Sequence, residues 1–189
     1  IDTLYMPNDK LRDRDRWGYS WQHKADLPAP SGNLGLNWNL NRVSDNDYWR
    51  DFSRMPGDSN GFGSSDQRLL SNEGRLNWHT GNHHVSLYAQ KWQVLQDIEA
   101  PIAPPFNRMP QLHWSYDTTA LALQGWDVAL EADTTRFEAD TIQGLNNPDN
   151  GRRSYALTKV SRPFVLPGGF ITPKVQLQSR HYQRDEFIN

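Results

Sequence analysis

The sequence predicts an all-β fold, built from antiparallel up-and-down strands that belong to a large membrane-spanning β-barrel. The first observation behind this prediction is strict alternation. Residues 34–41 read Leu-Gly-Leu-Asn-Trp-Asn-Leu-Asn, which puts apolar side chains on one face of a strand and polar ones on the other. The second observation is composition, because a mean hydropathy of −0.84 accompanies 12% aromatic residues. A chain that is polar on average, yet too aromatic for disorder, is expected where half of each strand faces lipid and half faces water.

Alternation and turn signals predict nine strands. In chain order they lie at about residues 1–6, 17–25, 34–43, 69–79, 84–96, 111–117, 124–137, 155–166 and 170–182. The first three are separated by a charged loop and a Pro/Gly turn, and Thr80-Gly81-Asn82-His83 is a tight hairpin signal between the fourth and fifth. In the fifth strand Trp92 and Val94 fall out of phase with the earlier apolar positions, which a β-bulge or the end of the membrane-embedded part would explain.

The later strands repeat the pattern. The sixth alternates Leu112 and Trp114 with His113, and the seventh alternates Val128 with Asp127. A polar loop leads to the eighth strand, and Pro167-Gly168-Gly169 turns the chain into the ninth.

The loops differ in length at the two ends of the predicted strands. Long polar loops follow strands one, three, five and seven, at about residues 8–16, 45–67, 99–110 and 141–153, whereas the other connections are generally short. Outer-membrane barrels have this asymmetry, with short periplasmic turns and long extracellular loops. A soluble Greek-key sandwich needs crossovers at both ends. The pattern favours the barrel and leaves the sandwich as the competing interpretation.

Strand phase predicts which side chains line a hydrated lumen and which face lipid. The predicted lumen-lining residues are Asn37, Asn39, Asn41, Glu73, Arg75, Asn77, His113 and Glu131. The predicted lipid-facing residues are Leu34, Leu36, Trp38, Leu40, Leu112, Trp114, Trp126, Val128 and Leu130. A register error of one residue would exchange the two faces at any one position.

No catalytic, metal or cofactor site is predicted. His79, His83 and His84 flank a hairpin, but no Cys or carboxylate accompanies them at a ligand spacing. Glu131 and Asp133 share a strand face, as carboxylates in charged lumen walls often do. The glycine-rich segment 57–65 lacks the Lys-Ser/Thr ending of a phosphate-binding loop and is expected to be a flexible loop.

Composition excludes several other classes of protein and of site. The formal net charge of −2 provides no basic excess for nucleic acid. The longest purely apolar run, residues 120–123, is far shorter than a transmembrane helix needs. Zero cysteines exclude disulfide or thiolate chemistry within the segment. Because there is no signal peptide and residues 1–5 already alternate, we expect a segment taken from within a longer barrel.

Several short motifs, in this order, resemble one family. They are Tyr5-Met6-Pro7-Asn8-Asp9-Lys10, Arg16-Trp17, Trp21-Gln22-His23, Arg42-Val43-Ser44-Asp45, Tyr48, Asp51-Phe52, Gly63-Ser64-Ser65, Gln93-Val94, Pro110-Gln111-Leu112 and His181-Tyr182-Gln183. Together they make the chain similar, along its whole length, to the barrel of the LptD (OstA, organic solvent tolerance protein) family of lipopolysaccharide-assembly outer-membrane proteins.

The resemblance implies more than the residues do. Family members have a periplasmic β-jellyroll and a C-terminal barrel of about 26 strands in the outer membrane. A plug lipoprotein, LptE, fills the lumen, and lipopolysaccharide arrives from periplasmic bridge proteins through the jellyroll. It then leaves by a lateral gate between the first and last strands. Residues 1–189 would be a partial barrel of roughly strands three to eleven, without the jellyroll, the gate strands and the family's cysteines.

The implied function is that of a translocon part, not an enzyme. The segment would help insert lipopolysaccharide into the outer leaflet, in contact with membrane lipids and without nucleic acid. A diffusion porin segment and a soluble carbohydrate-binding β-sandwich are the two alternatives. A porin should contain a closing terminal strand and a constriction loop, and a sandwich should stay soluble without detergent.

Overall fold

The chain folds into one large antiparallel sheet with a small separate hairpin. The computed structural model describes residues 1–52, 68–118, 125–140 and 149–185. The elements in chain order are β1 Asp2–Asp9, β2 Arg14–Ala29, β3 Gly32–Val43, α1 Tyr48–Asp51, β4 Leu69–Thr80, β5 His83–Val94, β6 Asn107–Thr118, β7 Asp127–Glu138, β8 Gly151–Ser161, β9 Phe164–Leu166, β10 Gly169–Ile171 and β11 Lys174–Arg184.

The large sheet is a simple meander. Its strand order is β1-β2-β3-β4-β5-β6-β7-β8-β11, and every neighbouring pair is antiparallel. The predicted all-β, up-and-down arrangement of nine strands is therefore confirmed. No helix in the described parts of the chain is long and apolar enough to cross a membrane.

Two tight turns at one end of the sheet depend on glycine. Gly32, at the start of β3, has a φ of +144°, and Gly81, between β4 and β5, has a φ of +52°. L side chains rarely adopt these angles, whereas glycine does so without a steric penalty. The β2–β3 and β4–β5 connections are consequently only residues 30–31 and 81–82.

The predicted difference in loop length is only partly correct. At the end opposite the tight turns, hereafter the long-loop end, the connections are residues 10–13, 44–68, 95–106 and 139–150. The first of these is shorter than predicted because β1 and β2 extend into the charged segment, where Asn8 and Asp13 take positive φ angles of 49° and 52°. At the short-turn end, residues 119–126 and 162–173 are longer connections.

Two predicted strands each divide in two. The expected strand over residues 155–166 stops at Ser161, and the expected strand over 170–182 is interrupted before Lys174. Pro163 and Pro173 lie at the two breaks, and proline removes the N–H that a sheet ladder needs. The intervening residues form β9 and β10, a hairpin that is a two-stranded sheet of its own.

The β-bulge that could have explained the change of phase in the fifth strand is not present in that strand. β5 pairs with β4 without a shift over its whole length. On both of its sides β6 shifts register between Arg108 and Gln111, where it carries one more residue than its neighbours. The bulge therefore lies in β6, beside the part of β5 that precedes Trp92.

A small apolar core lies at the long-loop end. It is formed by Val43, Tyr48, Leu70 and Leu95, with Trp49 and Phe52 packed against it. Helix α1 contributes Tyr48, whose side chain is fully buried. This core joins the ends of β3, β4 and β5 rather than covering a face of the sheet.

Candidate functional site

The register of the sheet sorts its residues onto two faces. Asn37 lies opposite both Lys24 of β2 and Arg75 of β4, and Asn39 lies opposite both Gln22 and Glu73. Directly paired residues in a sheet present their side chains to the same face. We call the face that carries these residues the polar face.

All eight residues predicted to line a lumen share the polar face. Glu73, Arg75 and Asn77 pair with Gln90, Tyr88 and Ser86 of β5, and Ser86 pairs with His113 of β6. Glu131 of β7 pairs with Ser115, two positions along from His113. That this face borders a lumen remains a prediction.

The residues predicted to face lipid occupy the opposite, apolar face. Leu34, Leu36, Trp38 and Leu40 pair with Leu27, Ala25, His23 and Trp21, while Leu112 pairs with Leu87, Trp114 with Ala132, Val128 with Val160 and Leu130 with Tyr116. Trp126 immediately precedes β7, in phase with Val128. Leu112 and Trp126 are 45% and 43% exposed. In the described parts of the chain, no second sheet or long helix covers this face.

Asp133 is the centre of a hydrogen-bond network on the polar face. Gln111 Nε2 donates to its Oδ2 at 2.7 Å, and Thr135 Oγ1 and Arg153 Nη2 donate to its Oδ1 at 3.0 and 3.1 Å. The carboxylate is 8% exposed, so these donors replace the water that it loses on burial. All three donors hold the Asp133 carboxylate in a fixed position on the polar face.

A shallow groove of about 370 Å³ runs beside Asp133. Its lining residues are Gln111, His113, Glu131, Asp133, Arg153, Tyr155, Arg180 and Tyr182. His113 Nδ1 lies 4.0 Å from Glu131 Oε1, and the Arg180 guanidinium lies 5.5 Å from the centre of the Tyr155 ring. The groove therefore presents hydrogen-bond donors, acceptors and tyrosine rings together.

A second patch of the polar face lies on β4 and β5. Tyr88 donates its hydroxyl to Glu73 Oε2 at 2.7 Å, and the Arg75 guanidinium lies 4.5 Å from the centre of the Tyr88 ring. Cation–π contact and a charge-assisted hydrogen bond hold both charged side chains in place. Tyr88 thus contacts one anionic and one cationic side chain of the polar face.

An ionic cluster at the long-loop end was not predicted from the sequence. Arg16, at the start of β2, is fully buried. Its guanidinium pairs with Asp45 at 2.9 Å, Asp51 at 2.8 Å and Asp9 at 3.2 Å, and lies 4.6 Å from the Phe52 ring. We call Arg16 and these three carboxylates the Arg16 cluster. The only signal in the sequence is the alternating run Asp-Arg-Asp-Arg at 13–16, which does not identify the distant partners.

Two carboxylates of the Arg16 cluster have lowered pKa values. A hydrogen bond from Arg12, and a second one from Arg16, hold the pKa of Asp51 below its ordinary value despite partial burial. Burial acts to raise the pKa of Asp45, but hydrogen bonds from Ser44 and Arg16 outweigh it and the net shift is downward. Both groups are ionised at neutral pH.

The hairpin histidines lie on different faces. His79 and His84 are paired on the polar face with their Nδ1 atoms 3.2 Å apart. His83 lies on the apolar face, where Trp114 Nε1 donates to its Nδ1 at 3.3 Å. Over residues 1–52, 68–118, 125–140 and 149–185, no group of three His, Cys, Asp or Glu is placed to hold a metal ion. The glycine-rich segment 57–65 lies outside the described residues.

The family model and the curated relatives described below all bear the same family name. The family model described as "LPS transport system D" (LptD) matches residues 14–189. The LPS-assembly protein LptD of Acidovorax sp. (strain JS42) is 50% identical over 182 residues, covering 96% of this chain and 22% of that protein. The LPS-assembly protein LptD of Paracidovorax citrulli is 45% identical over 184 residues, covering 97% of this chain and 22% of that protein.

More distant similarities extend the comparison. The LPS-assembly protein LptD of Bordetella parapertussis is 30% identical over 185 residues, covering 96% of this chain and 22% of that protein. The chain thus spans 22% of the length of these curated relatives. Among solved structures, Pseudomonas aeruginosa OccK5 (OpdH) aligns with a TM-score of 0.41 and 12% identity, covering 91% of this chain and 51% of that one, which is too distant to support a functional conclusion.

Proposed function

The chain belongs to the LptD family, and from that membership we propose that its nine-stranded sheet is part of the barrel wall of a lipopolysaccharide translocon. The wall lies in the bacterial outer membrane. Its role is to guide lipopolysaccharide toward the outer leaflet, and the mechanism is passage without covalent chemistry. Residues 1–189 are one section of the C-terminal barrel, so the remaining wall strands come from elsewhere in the full-length protein.

The two-faced sheet is the observation that carries this proposal. Glu73, Arg75 and Glu131 share a face with the polar residues of the neighbouring strands, and the opposite face presents Leu112 and Trp126 to its surroundings. Contact with lipid is favourable for the apolar face, and contact with an aqueous lumen is favourable for the polar face. The same argument disfavours a soluble sandwich, which would bury the apolar face against a second sheet.

Within this proposal the two faces have separate roles. The Asp133 groove and the Glu73–Tyr88 patch border the hydrated path of the saccharide portion, because sugars are bound by planar polar side chains and ring faces. The long-loop end faces outside the cell and the short-turn end faces the periplasm, following the rule for bacterial barrels. A plug lipoprotein of the LptE kind and periplasmic bridge proteins are the expected protein partners of the full-length chain.

Crosslinking in living cells tests the proposed path. We place the photoreactive residue p-benzoylphenylalanine at Asn39 or Glu131 of the full-length protein. The matched positions on the opposite face are Leu36, three residues from Asn39, and Leu130, one residue from Glu131. Because transported lipopolysaccharide passes the polar face, we expect lipopolysaccharide adducts at Asn39 and Glu131.

The matched positions give the contrast. At Leu36 and Leu130 we expect adducts dominated by the lipids that surround the barrel, irrespective of transport. Equal lipopolysaccharide labelling on both faces, or labelling only at Leu36 and Leu130, would contradict the proposed path. A diffusion porin predicts no lipopolysaccharide adduct at Asn39 or Glu131, even in cells that actively export it.

A further inference from the structure

The β9–β10 hairpin stands apart from the large sheet. Phe164 pairs with Ile171 and Val165 pairs with Phe170, and the two strands form a separate two-stranded sheet. The hairpin is attached at the short-turn end, between the last residue of β8 and the first of β11. An isolated two-stranded hairpin is only marginally stable in water. Its surroundings must therefore supply the stabilisation that a core would normally give.

The hairpin exposes an unusual amount of apolar surface. Val165 is 86% exposed, Phe170 78% and Ile171 60%, while Leu166 and Phe164 are 51% and 44% exposed. These five side chains lie within eight consecutive residues and make both faces of the hairpin apolar, with Phe164, Leu166 and Ile171 on one face and Val165 and Phe170 on the other. Patches of this kind mark surfaces that contact a membrane, a ligand or another protein.

The patch is continuous with the apolar face. The Arg162 guanidinium lies 5.3 Å from the centre of the Trp126 ring and 5.2 Å from that of Phe164, so it joins the start of β7 to the start of the hairpin. Beyond Trp126 the apolar face proceeds through Val128 and Val160. The same face that is proposed to contact lipid thus extends through Arg162 to the hairpin.

The charge around the hairpin selects one kind of partner. Residues 162–174 contain Arg162 and Lys174 and no Asp or Glu. Arg162 thus lies beside two aromatic rings. At a membrane interface, where aromatic side chains are enriched, an arginine can lay its alkyl stem in the apolar layer and extend its charge to the lipid phosphates. Basic residues at both ends of an apolar hairpin complement an anionic phospholipid surface.

From these observations we propose that the β9–β10 hairpin inserts its apolar side chains into the headgroup and upper acyl region of the phospholipid leaflet at the short-turn end. Arg162 and Lys174 contact the lipid phosphates. The proposal rests on the proposed function, because it takes the apolar face to be the lipid-facing side of a barrel wall. It adds a peripheral lipid anchor at a position where barrel strands normally connect through a plain turn.

The test uses the full-length protein reconstituted in vesicles of phosphatidylethanolamine and phosphatidylglycerol. We place p-benzoylphenylalanine singly at Val165 in the hairpin, at Leu112 on the apolar face, and at Ile98 at the long-loop end. Ile98 is the matched control because it is 99% exposed but lies between Asp97 and Glu99. After irradiation, mass spectrometry identifies each adduct. We expect phospholipid adducts at Val165 and Leu112. At Ile98 we expect them to be at least roughly tenfold fewer, because its acidic neighbours repel anionic lipid and its side chain does not enter the bilayer.

The outcomes separate the two proposals. Lipid adducts at Leu112 without adducts at Val165, or adducts at Val165 to protein instead of lipid, would overturn the hairpin anchor and leave the barrel wall intact. Absence of lipid adducts at Leu112 would overturn the proposed function itself, and the anchor with it.

A charge variant tests the phosphate contact. In Arg162→Gln we expect the adduct at Val165 to persist but its preference for phosphatidylglycerol over phosphatidylethanolamine to fall by about fivefold, since one basic residue near an anionic surface contributes about 1 kcal/mol. Arg152→Gln, at the opposite end of β8, is the matched control and should leave the preference unchanged. An unchanged preference in Arg162→Gln would overturn the assigned phosphate contact.

Discussion

Arg16 and Asp45 form a two-point ion pair that joins the first two connections at the long-loop end. Arg16 Nε donates to Asp45 Oδ2 at 2.9 Å, and Nη2 donates to Oδ1 at 3.0 Å. Arg16 is the third residue of β2, whereas Asp45 follows β3, so the pair holds the β3–β4 connection against the β1–β2 hairpin. Fork-to-fork pairing of guanidinium and carboxylate also fixes their orientation. The structure therefore contains a clamp where a barrel would otherwise have independent loops.

Removing the Arg16 guanidinium should release this clamp. In Arg16→Met the apolar stem remains near Phe52, but Asp45 loses its two-point partner and stays largely buried. Breaking a buried pair in this way costs about 3 kcal/mol. We expect amide hydrogen exchange over α1, Tyr48–Asp51, to become about a hundredfold faster in the full-length protein.

Arg14→Gln is the matched control for that experiment. Arg14 also contacts Asp45, at 3.2 Å, but its side chain is 48% exposed. Exposed pairs contribute at most about 1 kcal/mol. Exchange over α1 should therefore change less than about tenfold. Similar effects of Arg14→Gln and Arg16→Met would contradict the clamp.

The Arg16 cluster should also depend on pH. Because the pKa values of Asp45 and Asp51 are lowered in the folded protein, the folded state binds fewer protons than the unfolded state as acid is added. The stabilisation is complete above about pH 5 and is lost as pH falls below about 4 toward the folded pKa values. Hydrogen exchange of α1, corrected for its intrinsic pH dependence, should reveal opening only in that acidic range.

The Arg16→Met variant provides the contrast for pH. With the partner removed, the folded pKa values of Asp45 and Asp51 return toward ordinary ones and the dependence on pH becomes shallower. A steep loss of protection between pH 6 and pH 8 in the unsubstituted protein would be inconsistent with this mechanism, since carboxylates do not titrate there (about pH 4 is typical).

A comparison of two glycines tests how closely β3 and β4 approach each other at the short-turn end. A Cβ on Gly32 would lie 1.9 Å from the backbone oxygen of His79, and its φ of +144° adds strain, whereas a Cβ on Gly74 would meet nothing within 4 Å. We expect Gly32→Ala to lower the free energy of unfolding in urea, measured in phospholipid vesicles, by at least about 2 kcal/mol. Gly74→Ala should be neutral or stabilising by up to about 1 kcal/mol. Equal tolerance of both substitutions would show that β3 and β4 do not meet closely at Gly32.

The Asp133 network predicts a difference between two carboxylates on one strand. Asp133→Ala leaves donors from Gln111, Thr135 and Arg153 without their acceptor, and hydrogen bonds to charged groups contribute about 1.5–3 kcal/mol. We expect a loss of about 2 kcal/mol in the same urea experiment. Glu131→Ala should cost under about 1 kcal/mol, because its side chain is 38% exposed and its contact with His113 Nδ1 is as long as 4.0 Å. A larger loss for Glu131→Ala would refute the assigned network.

The strand order and the division into faces could be predicted from the sequence because both depend on local alternation. The pattern at Leu34–Asn41 needs no knowledge of distant partners, and antiparallel pairing of successive strands carries the phase from β3 to β7. The breaks at Pro163 and Pro173 were not predicted, although both prolines are in the sequence. The apolar residues between 164 and 171 suggested that the two strands continue there. The large sheet is interrupted at these prolines because proline has no backbone N–H to donate to a neighbouring strand.

The Arg16 cluster could not be predicted in the same way. Its carboxylates come from β1, from the segment after β3 and from α1, and the chain has 22 Asp and Glu residues from which to choose. Pairing of this kind depends on where the loop backbone goes, and loop geometry leaves no periodic signal in the sequence. The bulge of β6 was likewise not predicted, because the out-of-phase residues Trp92 and Val94 pointed to β5 instead.

The proposed function requires that the apolar face contacts lipid and that the polar face contacts water. An arginine scan of the four consecutive residues Val128, Ala129, Leu130 and Glu131, which alternate between the faces, tests it most directly. We measure the free energy of unfolding of each full-length variant in phospholipid vesicles. We predict a loss of about 2–4 kcal/mol for arginine at 130, a smaller loss of about 1 kcal/mol at 128, which lies nearer the membrane surface, and losses near zero at 129 and 131. Losses that do not alternate, or that are larger at 129 and 131, would contradict it.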